Sequence, residues 1–208
     1  MNSNTAGKNI IITGAFRFPD KDAASQRVLG LGKALKAGGN NVKFAGWENE
    51  PREFDFEADK QIYTYQDFPY FSQAELDLSH SNILNKVASF IFRGAKTIRW
   101  FKKYIKSNPV DVVVIYNANV YFILRMLVLC KANNIKLVCD CTEWYEADHL
   151  PGGRFGLANA DNNFRIKVVY PMVKNVILIS SYLKGYLEGK KSNIIVVPPL
   201  IVEKSGHG

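Results

Sequence analysis

Histidine, cysteine and methionine each occur only three times in the 208 residues, and that scarcity removes several chemistries at once. His80, His149 and His207 show neither metal-ligand spacing nor an HExxH pair. Cys130, Cys139 and Cys141 are an odd number, with no second closely spaced pair to complete a zinc site, so buried reduced thiols are expected. There is no Walker loop and no GxSxG elbow. Internal repeats and low-complexity tracts are missing too. No run approaches the roughly 18 consecutive apolar residues of a spanning helix. The opening "MNSNTAGKNIIIT" lacks the basic and long apolar regions of a secretion signal, which makes the cytoplasm the default compartment.

Acidic residues are scarce in one place. Residues 82–110 carry Lys86, Arg93, Lys96, Arg99, Lys102, Lys103 and Lys106 and no Asp or Glu, so this segment holds +7 of the chain's formal +8.

What is present is a hydrophobic content of 47%, ample for one large buried core. The runs "NIIIT", "NVKFAG", "QIYTY", "DVVVIY", "IKLVCD", "NVILI" and "NIIVV" read as strands. Helical spacing lies between most of them: "AASQRVLGLGKALKA" closed by Gly38 and Gly39, residues 82–107, the segment after "DVVVIY", residues 164–173, and a short helix from Ser181. "WENEPREFDFEADK" reads as a polar excursion, and "LPGGRFGLANADN" as a long loop. Strands alternating with helices predict a Rossmann-like, doubly wound α/β fold, a mostly parallel sheet of six or seven strands flanked by helices. The domain is expected to span residues 1–202, with 203–208 as a linker stub or tail.

"DVVVIY" and "IKLVCD" are continuous β-branched runs, as expected of strands covered on both faces. Ligands of open parallel sheets bind outside the carboxyl ends of the strands. That makes Asn117 and Asn119 after one strand, and Asp140, Thr142 and Glu143 after the next, candidate site residues. "TEWYEAD" also reads as an ordinary helix start capped by Thr142. In "GAFRFPDKDAAS", Gly14 permits close backbone approach, and the following helix points its free amides and positive dipole end at whatever binds there, which suits a phosphate. A purely structural turn reads equally well, and a single glycine is not the dinucleotide fingerprint. "GLGKAL" begins at Gly30, inside the helix, which disfavours a nicotinamide dehydrogenase. Ser180 and Ser181 can cap the helix that follows them or reach a ligand phosphate. His149 is an exposed loop residue or, more sharply, a base or phosphate contact.

"TGAFRFPDKDAASQRVLGLGKALKAGGNNVKFAG", then "DVVVIYN", "IKLVCDCTEWYE" and "VILISSYLKGYLEGKKSNIIVVPPL" together resemble the amino-terminal half of a family 4 type, retaining glycosyltransferase of the two-Rossmann-domain, or GT-B, architecture. The resemblance implies an acceptor-binding domain whose partner domain, lying outside this chain, holds most of a nucleotide-diphosphate sugar. It implies that sugar as co-substrate, with no cofactor and no metal. The family's paired donor glutamates, separated by seven residues, occur nowhere in the sequence. Carried over by position, Gly14, Ala15 and Ser180 would face the donor phosphates, and Arg27 would brace the first loop. Asn117, Asn119, Thr142, Trp144, Tyr145 and His149 would bind the acceptor, with Trp144 and Tyr145 available to stack on a sugar. Glu143, or failing it Asp140, would be the catalytic carboxylate. The family's usual histidine is not at the start of this loop. The same resemblance implies a role in cell-surface polysaccharide synthesis on a glycan or lipid-linked acceptor.

In residues 82–107, Leu84, Val87, Ala88, Ile91, Ala95, Ile98 and Ile105 recur at helical spacing and are expected to face the sheet. The cationic remainder, with Phe90, Phe92, Trp100 and Tyr104, fits either a solvated basic face or a helix lying on the anionic inner face of the cell membrane. No nucleic-acid module accompanies the charge, so no nucleic-acid partner is expected. The rival reading is a free-standing Rossmann-like module that binds a nucleotide, glycan or protein without catalysis.

Overall fold

Ile10, Ile11 and Ile12 show why the first strand sits at the centre of the sheet. Ile10 and Ile12 pack on one face with Val28, Leu29 and Phe44, while Ile11 enters a second core with Phe101, Phe122 and Met126 on the other. The computed structural model describes residues 7–18, 22–47, 56–57, 62–73, 82–189 and 193–198. Among these the strands are β1 (Asn9–Gly14), β2 (Asn41–Gly46), β3 (Phe56–Glu57), β4 (Ile62–Tyr65), β5 (Phe68–Ser72), β6 (Val112–Tyr116), β7 (Lys136–Cys141), β8 (Asn175–Leu178) and β9 (Asn193–Val196). They form one sheet in the order β3-β4-β5-β2-β1-β6-β7-β8-β9, parallel except for the β3–β4 and β4–β5 pairs. The chain is therefore a mostly parallel, Rossmann-like α/β domain.

Nine described strands exceed the six or seven expected. All seven anticipated runs are strands, and the two additions are β3, inside the supposed polar excursion, and β5. Much of that excursion, residues 48–55 and 58–60, lies outside the described residues, as do residues 203–208. Pro69 disguised β5, because proline removes a ladder donor. It is tolerated because the parallel pairing with β2 begins one residue later, at Tyr70. The turn from β4 is Gln66–Asp67, with both residues at positive φ, as two-residue hairpins require.

The helices are α1 (Ala23–Ala37), α2 (Ile83–Ile91), α3 (Ala95–Tyr104), α4 (Val120–Ala132), α5 (Leu157–Phe164), α6 (Tyr170–Val173) and α7 (Ser181–Leu187). No helix among the described residues is long and apolar enough to cross a membrane. Helix α1 starts on a reciprocal cap between Asp22 and Ser25. Its inner glycines serve packing: a Cβ on Gly32 would lie 2.5 Å from the Phe44 ring.

Residues 82–107 form two helices rather than one. Gly94 adopts φ +94 and sits so close to Phe122 that a Cβ would lie 2.3 Å from its ring, so the chain turns there. Beyond the turn, α3 buries Thr97 and Phe101, and Ile98 and Ile105 are half-buried as expected. Before it, α2 buries nothing, and Leu84, Ala88 and Ile91 are exposed instead of facing the sheet. Trp100 and Tyr104, left over in the periodicity, pack on Phe71.

The helix expected over 164–173 begins earlier, at Leu157, and continues through a π-helical turn, Arg165–Val169, into α6. Gly, Asn and Asp in this stretch suggested a loop. Two of the polar side chains instead make tertiary bonds that hold the helix: Asn162 Nδ2 donates to the Tyr145 carbonyl at 2.9 Å, and Asp161 Oδ1 accepts from the Val120 amide at 2.9 Å.

The three cysteines are free and buried, and burial pushes each thiol above its ordinary value, Cys130 to about 12.

Candidate functional site

The candidate residues lie around the carboxyl ends of β1, β6, β7 and β8. Beneath them, Arg27 reaches from α1 to β7. Its Nε donates to Asp140 Oδ2 at 2.9 Å and its Nη2 to Asp140 Oδ1 at 2.7 Å, while Nη1 donates to the Val197 carbonyl at 3.2 Å. The Asp140 side chain is wholly inaccessible and that of Arg27 nearly so. Burial pushes the Asp140 carboxyl up, against the pull of Arg27's hydrogen bonds and charge. Both carboxylate oxygens are thus engaged inside the fold. Arg27, expected to brace the first loop, ties α1 to β7 and to the segment after β9.

Above this pair Tyr116 ends β6, and Thr142 Oγ1 donates to its hydroxyl at 3.4 Å. Burial raises the Tyr116 phenol, the Thr142 bond lowers it, and the charges of Asp140 and Glu143 add to the rise. Asn117 follows in the left-handed region, at φ +42, with its amide donating to the Asp140 carbonyl at 3.1 Å. Its Oδ1 is buried without a hydrogen-bond partner. A buried acceptor left unpaired is unfavourable by about 1–3 kcal/mol, so a polar group supplied here would be stabilised. Glu143 is exposed and makes no side-chain hydrogen bond or ion pair among the described residues.

The remaining candidates divide. Residues 142–146 are not helical, and the chain forms only a 3-10 turn at Ala147–His149, so Thr142 is not a helix cap. Tyr145 is 40% exposed, and Trp144 is half-buried with its ring 4.5 Å from that of Tyr186. His149 is exposed at the end of the 3-10 turn. Asn119 faces no open cleft. Its Oδ1 accepts from the Phe122 amide and caps α4, and its Nδ2 donates to the Phe90 and Ile91 carbonyls at 2.9 and 3.0 Å. Ser180 caps α7 through the Leu183 amide at 3.4 Å.

The described part of the first loop is similarly self-satisfied. Gly14 has φ +128, and a Cβ there would stand 2.2 Å from the Tyr116 carbonyl oxygen. The Ala15 amide donates to that same oxygen at 3.0 Å, and the Phe16 amide to the Gly14 carbonyl at 2.9 Å. At the start of α1 the Asp22 carboxylate already accepts from the Ser25 amide at 2.8 Å.

Arg165 escaped the sequence reading. It is buried, donating from Nη1 to the Ala118 carbonyl at 3.1 Å and from Nη2 to Asn162 Oδ1 at 3.0 Å. Because Asn162 in turn holds the Tyr145 carbonyl, a continuous chain of hydrogen bonds joins the loop after β6 to the loop after β7. "FRIKVVY" resembles any half-exposed helix face, and nothing in it marks Arg165 as inward.

No family model and no curated protein matches the sequence. Solved structures do match the fold. Starch synthase IV from Arabidopsis thaliana, bound to ADP and acarbose, shares 12% identity at a TM-score of 0.56 over 93% of this chain and 52% of its own. UGT2 of Phytolacca americana, complexed with UDP-2fluoro-glucose and pterostilbene, shares 8% identity at a TM-score of 0.61 over 95% and 55%. Arabidopsis thaliana UGT89C1, complexed with UDP-L-rhamnose, shares 10% identity at a TM-score of 0.60 over 97% and 54%. The chain spans about half the length of these glycosyltransferases, and its fold is that of one half of the GT-B architecture.

Proposed function

We propose that this chain is the amino-terminal, acceptor-binding half of a nucleotide-sugar-dependent glycosyltransferase. It would transfer a hexosyl group with retention, as in family 4, during cell-surface polysaccharide synthesis. The observation that carries the reading is the presence, at the carboxyl ends of neighbouring strands in a half-GT-B fold, of an exposed carboxylate without a side-chain partner among the described residues, Glu143, and of a buried Asn117 Oδ1 without a hydrogen-bond partner. In this reading Asn117 accepts a hydrogen bond from an acceptor hydroxyl. Glu143 accepts a hydrogen bond from a neighbouring acceptor hydroxyl and orients the reacting one. The oxygen of that reacting hydroxyl attacks the anomeric carbon on the face from which the nucleoside diphosphate departs, its proton passing to the departing phosphate oxygen so that configuration is retained. Tyr145 supplies a ring face for the acceptor sugar. Asp140, with both oxygens on Arg27, positions the loop instead of reacting.

The amides of Ala15 and Phe16 are bonded within the protein, so the diphosphate charge would be met mainly by the donor half of the enzyme. The acid-free segment 82–110 supports attachment to the anionic inner face of the cell membrane, with a glycan or lipid-linked acceptor. Calorimetric titration of the chain with uridine and guanosine diphosphate sugars, and with free and lipid-linked oligosaccharides, tests the assignment. Acceptor binding lost in Glu143→Gln, beside donor binding of about millimolar or weaker, is the expected result. Micromolar donor affinity without acceptor binding would overturn it in favour of a nucleotide-binding module.

A further inference from the structure

At the amino ends of the central strands, opposite the candidate site, lies a cavity of about 150 Å³. Register places Asn9 beside Asn41 and Ile11 beside Lys43, so these four side chains share one face of β1 and β2, the face on which Ile11 meets Phe101 of α3. They line the cavity on one side. Tyr104 at the end of α3 and residues 108–110 of the following loop line it on the other. A volume of this size holds a molecule of about six non-hydrogen atoms.

Lys43 sets the chemistry of this space. It is half-buried beside Ile11 and two residues from Ala45, both core residues of that face, and it makes no ion pair among the described residues. Its Nζ donates to the Tyr104 hydroxyl at 2.9 Å and stands 5.7 Å from the centre of that ring, contacts that leave the charge without a counter-ion. A cation drawn partly out of water without one is unfavourable, and an anion in the adjoining cavity would offset that. No described carboxylate lines the cavity. Asp111, on the same edge of the sheet, already accepts from the Asn9 backbone amide at 2.8 Å and lies 3.8 Å from the Lys8 ammonium. The asparagines add directional groups. Asn41 Nδ2 donates to Asn9 Oδ1 at 3.1 Å and Asn108 Nδ2 to the Tyr104 carbonyl at 3.0 Å, which leaves Asn9 Nδ2 and the Oδ1 atoms of Asn41 and Asn108 without a partner among the described residues. The lining thus offers a cation and an amide donor to one group, amide oxygens to a hydroxyl, and the apolar surface of Ile11, Pro109 and Val110 to a short carbon skeleton.

We propose that this cavity binds a small hydroxycarboxylic acid, with its carboxylate on Lys43 and the Asn9 side-chain amide and its hydroxyl on Asn41 or Asn108. An inorganic oxyanion would satisfy Lys43 but would set polar oxygens against Ile11 and Val110, and a long-chain or aromatic acid would exceed the volume. Lys103 and Lys106, exposed on either side of Tyr104 in the chain, add to the attraction of an anion from solution. The site is at the far ends of β1 and β2 from Gly14 and Gly46, so the inference goes beyond the sugar-transfer reading and does not depend on it.

Titration of the isotope-labelled chain with lactate, propionate and inorganic phosphate, followed through backbone amide shifts by NMR, tests the assignment. Lactate is expected to saturate the chain at about millimolar concentration, moving the amides of Asn9, Lys43 and Val110 and leaving those of Asn117 and Thr142 in place. Propionate, which lacks the hydroxyl, is expected to bind about two- to tenfold more weakly. Lys43→Met is expected to abolish the lactate shifts while moving the melting temperature by no more than a few degrees, because it removes a cation that has no counter-ion. Asn41→Asp, at an exposed position that leaves the core untouched, sets a carboxylate beside the cavity and is expected to weaken lactate binding about tenfold. No lactate shift up to about 50 mM would overturn the proposal. So would lactate shifts that survive both Lys43→Met and Asn41→Asp, equal binding of lactate and propionate, or phosphate binding in place of lactate.

Discussion

Arg27 on the first helix and Asp140 on the seventh strand, 113 residues apart in sequence, form a two-pronged ion pair that closes the floor of the candidate site. Removing one member leaves a buried, uncompensated charge. Arg27→Met or Asp140→Asn is expected to destabilise the fold by about 3–5 kcal/mol, whereas replacing both by apolar residues of similar volume should cost far less. Denaturant titrations of the two single variants and the double variant read this directly. Losses that simply add would contradict the pairing.

Glu143 should behave in the opposite way. Exposed and without a side-chain partner among the described residues, it contributes little to folding. On the proposed function, Glu143→Gln in the enzyme joined to a donor half is expected to lower turnover at least about tenfold while moving the melting temperature by no more than a few degrees. Equal losses of activity and stability would assign it a structural role.

Gly94 governs the direction of α2. Alanine there would meet both the left-handed φ and the Phe122 ring, whereas Gly39, at φ +83, faces open space. Gly39→Ala is expected to destabilise by about 1–2 kcal/mol, and Gly94→Ala by a further 1–3 kcal/mol or so from overpacking. Equal effects in thermal melts would argue against the close approach.

Alkaline pH provides an independent test of the core. Cys130 rises from 9.0 to about 12 through burial, so above pH 9 the unfolded chain releases a proton that the native state keeps. The stabilisation is complete below pH 9 and is lost as the pH climbs through about 12, at roughly 1.4 kcal/mol per pH unit for one thiol. The stability difference between the parent and Cys130→Ala is expected to shrink across that window. A constant difference would place the thiol in water.

The strands that make the sheet were legible because β-branched runs such as "DVVVIY" and "IKLVCD" have few alternatives once both faces must be covered. Their carboxyl ends located the candidate site for the same reason. Hidden from the sequence were properties that only packing decides. Asp140 and Glu143, three positions apart, look alike as letters, yet one is buried against Arg27 and the other is uncommitted. Asn117 and Asn119 differ similarly, one carrying an unpaired oxygen and the other joining two helices. Periodicity in residues 82–107 was real, but periodicity says that a helix has an apolar side, not that the same molecule covers it. Arg165 was missed because an inward arginine is recognised only by the carbonyls it finds.

The separation of Arg27 from Asp140 also bears on how the chain is made. During synthesis α1 can dock on β1 and β2 long before β7 exists, and through that interval the guanidinium has no carboxylate to meet. Contacts so distant in sequence form late, and unfinished parallel sheets expose their edges while they wait. The half-built domain is thus the species most in need of a chaperone, and docking of β7 on β6 is the step that retires the lone cation, while the open edge passes on to β8 and then β9.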